Sequence, residues 1–228
     1  MARWISIIAL GLGGLAILLS LGVWQLQRLA WKTEMLDRIE TRIAGPAEPL
    51  PVDPDPEAMR FRPVAVEGSI AGAPLHVLTS TAETGPGYRV IAPFETTTGR
   101  AVMVDLGVIP TAAKDAAPDT GPLRIEGNLH WPRESDGFTP PPEAERNIWY
   151  ARDVPMMAEA LGTEPILVVA RGVEPPLPGI LLQPVGTAAI ANDHLQYAIT
   201  WFTIAAGWAG MTLLLLWRMA RSDRSRTR

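Results

Sequence analysis

Two stretches decide how this chain is read: WISIIALGLGGLAILLSLGVW at residues 4–24 and YAITWFTIAAGWAGMTLLLLW at residues 197–217, each 21 residues long and without a charge. About 20 apolar residues in helical form cross the ~30 Å hydrocarbon core of a bilayer. Trp4, Trp24, Tyr197 and Trp217 stand at the four ends, where amphipathic rings favour the headgroup level. Both stretches read as transmembrane helices. A cleaved signal peptide competes for the first, since Ser20 and Gly22 form a small-x-small pair. The apolar run is long for that purpose, and the helical pattern continues past it. A buried core helix competes for the second.

Composition points the same way: 228 residues with 47% hydrophobic and only 19% charged residues, and a mean hydropathy of +0.12. The absence of cysteine excludes a disulfide scaffold, a thiolate zinc site, a CxxC redox pair and thiolate-bound iron–sulfur clusters. After Trp217 come Arg218, Arg221, Arg224, Arg226 and Arg228 against one acid, Asp223. Positive flanks stay inside, so the C-terminus is expected in the cytoplasm, and an even number of spans puts the N-terminus there too. Between the spans, 14 basic against 23 acidic residues leave the exported part with a formal charge of −9. That sign argues against nucleic acid as a partner. Met1 leads at once into the span, without an Arg- and Ser-rich presequence, which predicts a bacterial inner membrane with a periplasmic central domain.

The expected order is a first span over 1–25, a helical extension and Pro-rich linker over 26–58, a β-rich periplasmic domain over 59–192, a second span over 193–217 and a basic cytoplasmic tail over 218–228. Leu29, Leu36, Ile39 and Ile43 continue one apolar helical stripe beyond the first span. GPAEPLPVDPDPEA at 45–58 blocks both helix and central strand and reads as a linker or ordered loop. Strand-like runs follow at 62–70, 75–79, 88–94, 101–108, 123–129 and 166–173, parted by Gly and Pro turns. They predict a mainly antiparallel sheet that curls towards a barrel. One short helix interrupts them, with Asp153 as cap, Pro155 in the first turn, Met156, Met157, Ala160 and Leu161 on its apolar face and Gly162 at its end.

No Gly-rich phosphate loop, GxSxG or HExxH is present, so the marks of nucleotide binding, esterase chemistry and zinc proteolysis are missing. The scattered carboxylates read as a solvated face. Of the three histidines, His76 lies in a strand-like run and His130 precedes Trp131 and Pro132, and both read as packed or surface residues. His194 differs: it opens the second span in NDHLQYAITWF, where Asn192 or Asp193 can cap the helix. Spacings of 3, 4 and 7 place Tyr197, Ala198 and Trp201 on its face.

An imidazole is a usual ligand of haem iron, a small Ala198 would admit a flat macrocycle, and two aromatics would flank it. Gln25 and Arg28, at the end of the first span, reach a similar depth, where an arginine can pair with propionates. The plainer reading is also open: His194 and Gln196 hydrogen-bond at the interface and Arg28 snorkels to headgroups. Gly11, Gly13 and Gly14, with Ala205, Ala206, Gly207, Ala209 and Gly210, would permit close helix packing or equally well face lipid.

GVWQLQRLAWK at 22–32 and NDHLQYAITWF at 192–202 resemble the terminal signatures of the surfeit-locus-one family. FRPVAVEG at 61–68, GPGYRVIAPF at 85–94 and GFTPPPEAERNIWYARDV at 137–154 fall between them in the family's order. The resemblance implies a non-enzymatic assembly factor for cytochrome c oxidase, with the catalytic oxidase subunit and haem a synthase as partners. In bacterial members it implies haem a binding, with the histidine of HLQYA, here His194, as iron ligand. Gln25, Arg28, Tyr197 and Trp201 match signature positions and are expected haem contacts. The alternative is an assembly factor that stabilises the oxidase subunit without haem. Where the family reads Asn-Arg-Gly-Trp, this chain has Asp105, Leu106, Gly107 and Val108, and Gly107 and Pro110 are expected to keep a turn there.

Overall fold

A computed structural model describes residues 2–114, 121–188 and 190–226, with side chains up to Ser222. Met1, Arg228 and the side chains of Asp223, Arg224 and Arg226, all used above, lie outside the described residues. The chain divides into two compact units, residues 1–38 with 188–228 and residues 39–187.

The first unit is a pair of helices. α1 runs over Ala2–Ile43 and α3 over His194–Arg226. At 1.5 Å per residue α1 is about 63 Å long, roughly twice a hydrocarbon core. Both are long and apolar enough to cross a membrane, and only 11% and 6% of their most apolar windows are buried. A core helix would be mostly covered, so these two present their apolar surface outward, as spans in lipid do. The less exposed positions of α1 beyond the first span include Leu29, Leu36, Ile39 and Ile43, the stripe read from the sequence. The last turn of α1 belongs to the second unit. There the Ile43 carbonyl accepts from Asn128 Nδ2 at 3.0 Å and Arg171 Nη1 at 2.9 Å, which satisfies an orphan group of the helix end.

Among its described residues the second unit holds seven strands: β1 (Glu48–Pro49), β2 (Pro63–Ile70), β3 (Leu75–Thr81), β4 (Gly85–Thr96), β5 (Ala101–Pro110), β6 (Leu123–Leu129) and β7 (Leu167–Glu174). Their order is β1-β2-β6-β7-β5-β4-β3, and β2 also pairs with β4. Five strands, β2, β6, β7, β5 and β4, thus close into a barrel. All neighbours in it are antiparallel except β5 with β7. Closure rests on three residue pairs, Gly68–Thr96, Ser69–Glu95 and Ile70–Phe94. A Cβ at Gly68 would collide with the Glu95 carbonyl oxygen, so only glycine lets the two strands approach here. The Pro-rich segment is an ordered strap: β1 lies parallel to β2, and the Pro51 carbonyl accepts from Arg100 Nη1 at 2.6 Å.

Val64, Val66, Phe94, Val102, Val104, Ile125, Leu129 and Val168 fill the barrel. Alternate residues Ile91, Met103, Leu167 and Val169 face outward, where Trp149 and α2 (Val154–Leu161) cover them through Met157 and Ala158. β5 and β7 are buried on both faces, and for that reason their sequences run apolar without alternation. Helix α2 starts on Asp153, whose side chain accepts from the Met156 N–H, and ends at Gly162, as its sequence predicts.

Two expectations need correction. No turn forms at 105–108. Val90 pairs with Gly107 but Ile91 with Asp105, so Leu106 is the extra residue of a β-bulge inside β5. Gly107 has φ 115°, and a Cβ there would strike the Leu181 carbonyl of the segment that crosses it. The carboxylates are also not all a solvated face. Asp105 is 0% exposed, and its Oδ2 accepts from Arg89 at 2.7 Å and Arg152 at 3.2 Å, while Arg152 also holds Glu134. Removing the shared carboxylate from such a buried triad costs about 3–5 kcal/mol, because two guanidinium groups lose their partner.

His130 stacks on Phe61 with ring centroids 5.4 Å apart, and its Nδ1 is buried without a partner. Burial, then the charges of Arg152 and Arg60, push its pKa down to about 4 from an ordinary 6.5. Between these values the unfolded chain takes up a proton that the fold refuses, so stability falls as pH drops from about 6.5 towards 4 and is unaffected above. The expected outcome is a thermal midpoint, followed by circular dichroism in detergent, that declines over this window. His130→Phe should flatten the decline above pH 4.5, and an unchanged profile would remove His130 as its cause.

Candidate functional site

In the first unit, the buried and half-buried residues of α1 up to residue 29 fall at 4, 7, 11, 14, 15, 18, 21, 22, 25 and 29, and those of α3 up to residue 216 at 194, 198, 201, 202, 205, 209, 212 and 216. Steps of three and four make a heptad-like seam between antiparallel helices. Its contacts run in order along both helices. A Cβ at Gly11 would meet Thr212, one at Gly14 would lie 2.6 Å from the Trp208 indole, and one at Gly22 2.6 Å from the Phe202 ring. Trp208 Nε1 donates to the Gly11 carbonyl at 3.0 Å. Gly11, Gly14 and Gly22 therefore make room for Thr212, Trp208 and Phe202 of α3, whereas Gly13, Gly207 and Gly210 face open space. Ala198 and Ala205, at 1% and 2% exposure, lie in the seam as well.

The seam ends in a polar pair. His194, first residue of α3, has Nδ1 2.8 Å from Gln25 Oε1, and Gln25 is buried on α1. One helical turn further along α1, the Arg28 guanidinium lies 5.9 Å from the centroid of Trp24 and 5.0 Å from that of Trp31. No carboxylate pairs with Arg28 among the described residues, so it is a cation steadied by two indole faces. Lys32 Nζ donates to the Ala191 carbonyl and ties α1 to the segment that leads into α3.

The sequence-predicted residues therefore divide. Gln25 and His194 come together at one end of the seam, and Arg28 lies exposed one turn beyond Gln25 on α1. Ala198 is occupied by helix packing instead of standing open to a macrocycle, because its position falls on the seam. Tyr197, 56% exposed, projects from the outer side of α3, and Trp201 is half-buried. Asn192 does not cap α3: its Oδ1 is buried and unpartnered, and Asp193 enters through its backbone carbonyl, which accepts from the Tyr197 N–H at 3.1 Å.

The residues present fit a haem: His194 would hold its iron through the imidazole and Arg28 would meet its propionates. His194 spends one ring nitrogen on Gln25 and keeps the other, and Arg28, one turn beyond Gln25 on α1, has no counter-charge among the described residues. No group of three or more His, Asp or Glu arranged to hold a bare metal ion occurs among the described residues. His76 is engaged elsewhere, its Nδ1 accepting from Asn147 Nδ2 at 3.1 Å. Sequence reasoning missed the Asp105 triad. Its one signal was an acid inside the apolar run AVMVDLGVI, which a two-faced buried strand tolerates only with partners.

Fold and helix pair together define a barrel protein with two membrane-length helices and a histidine–glutamine pair at the end of their seam. A family profile described as the SURF1 family matches residues 12–206. "Surfeit locus protein 1" of Xenopus tropicalis is 30% identical over 213 residues, which cover 82% of this chain and 68% of that one. The protein of the same name from Homo sapiens is 29% identical over 211 residues, 82% and 69% of the two chains. A "SURF1-like protein" of Monosiga brevicollis is 30% identical over 208 residues, 82% and 78%. The chain belongs to the SURF1 family, a family of cytochrome c oxidase assembly factors.

The seam makes its own prediction. Gly22→Leu should drive a side chain into Phe202 and cost about 1–3 kcal/mol of overpacking. The expected result is a lower thermal midpoint for the purified full chain, with Gly13→Leu, which meets nothing, as the control that stays near wild type. Equal effects of the two would sink the assignment of the seam.

Proposed function

We propose that this chain binds haem a at the membrane surface and helps insert it into, or keep it in, the catalytic subunit of cytochrome c oxidase. The observation that carries this is the His194–Gln25 pair at the end of the helix seam, which leaves the second imidazole nitrogen of His194 for iron. Arg28, steadied between Trp24 and Trp31, is the partner for propionates, since a guanidinium forks onto a carboxylate. Tyr197 and Trp201 supply apolar walls. When bound, haem supplies the iron that the imidazole ligates.

A site at this depth suits a haem with a long isoprenoid tail, which lipid or helix faces would bury. The reading asks no bond-making of the protein beyond ligation, so the chain acts as a carrier and not an enzyme. Its donor would be haem a synthase and its acceptor the oxidase subunit. The positive flank after Trp217 supports an inner-membrane arrangement with both helix ends that carry the termini in the cytoplasm and the barrel in the periplasm. The pair His194–Gln25 then stands at the periplasmic surface.

The test is an absorption spectrum of detergent-purified full chain after co-expression with the haem a biosynthetic enzymes. Wild type is expected to carry a haem a Soret band, His194→Ala to lose it, and Arg28→Ala to retain haem about tenfold less well, the loss of one charge-assisted contact. A folded wild type without haem would overturn the reading in favour of an assembly factor that holds the oxidase subunit by protein contacts alone.

A further inference from the structure

Gln25 stands out among the residues of the helix pair. It occupies a seam position between Gly22 and Leu29, where the neighbours are small or apolar, yet it is a polar side chain only 9% exposed. A buried amide without a partner costs about 1–3 kcal/mol, and an apolar residue would pack here without that cost. The compensation is one hydrogen bond, 2.8 Å long, between Oε1 and His194 Nδ1. An amide oxygen only accepts, so Nδ1 must carry the proton. In a neutral imidazole that leaves Nε2 as the nitrogen with the lone pair.

We propose that Gln25 is a positioning residue: by accepting the Nδ1–H of His194 it holds the imidazole in the one tautomer, and the one ring orientation, in which Nε2 can bind iron. This rests on the reading of His194 as the haem ligand and replaces the expectation that Gln25 itself touches haem. Without the acceptor, a neutral ring shares its proton between both nitrogens, and the fraction with Nε2–H cannot ligate. The hydrogen bond also makes the ring a better donor to a metal, since partial negative charge on the acceptor draws Nδ1–H towards it. Placing the acceptor on α1 and the imidazole on α3 has a further consequence. The ring is set correctly only while the two helices are packed, so ligand competence is coupled to the seam that Gly14–Trp208 and Gly22–Phe202 maintain.

The test has two readouts, one of which needs no haem. With three histidines in the chain, nitrogen-15 NMR of the imidazoles in the detergent-solubilised, haem-free full chain can be assigned to His194 by comparison with His194→Ala. The expected wild-type signal is a protonated Nδ1 and an unprotonated Nε2. Gln25→Leu is expected to give a mixed tautomer and to weaken haem a binding about 10- to 100-fold, the usual effect of losing such an outer partner. Gln25→Glu keeps an acceptor and should restore both, with the reduction potential of the bound haem moved to a more negative value.

A protonated Nε2 in wild type, or unchanged tautomer and affinity in Gln25→Leu, would overturn the proposal. Loss of haem in both Gln25 variants with the tautomer intact would also overturn it, by making Gln25 a haem contact. Should Gln25→Leu fail to fold, the wild-type tautomer and the Gln25→Glu potential decide. Haem binding that survives His194→Ala would instead remove the ligand reading itself, whatever the NMR shows.

Discussion

Every backbone N–H and C=O that leaves water has to find a partner, and this chain meets that constraint in two ways. Between the end turns of α1 and α3 the backbone groups are satisfied within each helix, the condition for any segment that faces lipid. In the β-rich unit closure through the pairs of Gly68–Ile70 with Phe94–Thr96 joins β2 to β4 and leaves β1 and β3 as the outer strands among the described residues. Much else follows from closure. The strands must curl, so the bulges at Leu106 and Arg171 and the glycines beside them fall where strands bend or approach too closely for a Cβ.

Three of the buried polar groups among the described residues sit where two elements have to be joined. Asp105 draws Arg89 of β4 and Arg152, just ahead of α2, onto β5. Asn128 is wholly buried and donates to the Ile43 and Phe61 carbonyls, which fixes the end of α1 against β6 and the segment before β2. Gln25 joins α1 to α3. Apolar packing alone sets approximate distances, whereas a buried hydrogen bond tolerates only one alignment. Such residues hold the register that a slipping seam would otherwise lose.

The site uses the same economy of parts. Glycines let large side chains of α3 sink into α1, which brings the helix axes close enough for a glutamine to span them. Ala198 and Ala205 serve that approach from the other side. The residues proposed to meet haem are therefore not on a loop shaped for a ligand but at the end of a packed seam, where His194 is bonded to Gln25 and Arg28 with its two indoles lies one turn beyond Gln25 on α1.

Much of this was legible in the sequence. The two spans follow from 21-residue uncharged runs, the strands from short β-prone runs between Gly and Pro turns, and α2 from Asp153, Pro155 and Gly162. These are properties of local sequence, because hydrogen bonding within a helix and the residue preferences of turns are short-range. Gln25, Arg28 and His194 could be named as candidates by type and depth along each helix for the same reason. What the sequence could not supply were pairings between residues far apart in the chain: the closure of β2 on β4, the parallel contact of β5 with β7, the bulge at Leu106 in place of a turn, and the burial of Asp105. Nor could it show that Ala198 is filled by a neighbouring helix or that Gln25 meets His194 across 169 residues. Those depend on which surfaces come together once the chain is compact, and only the tertiary structure decides them.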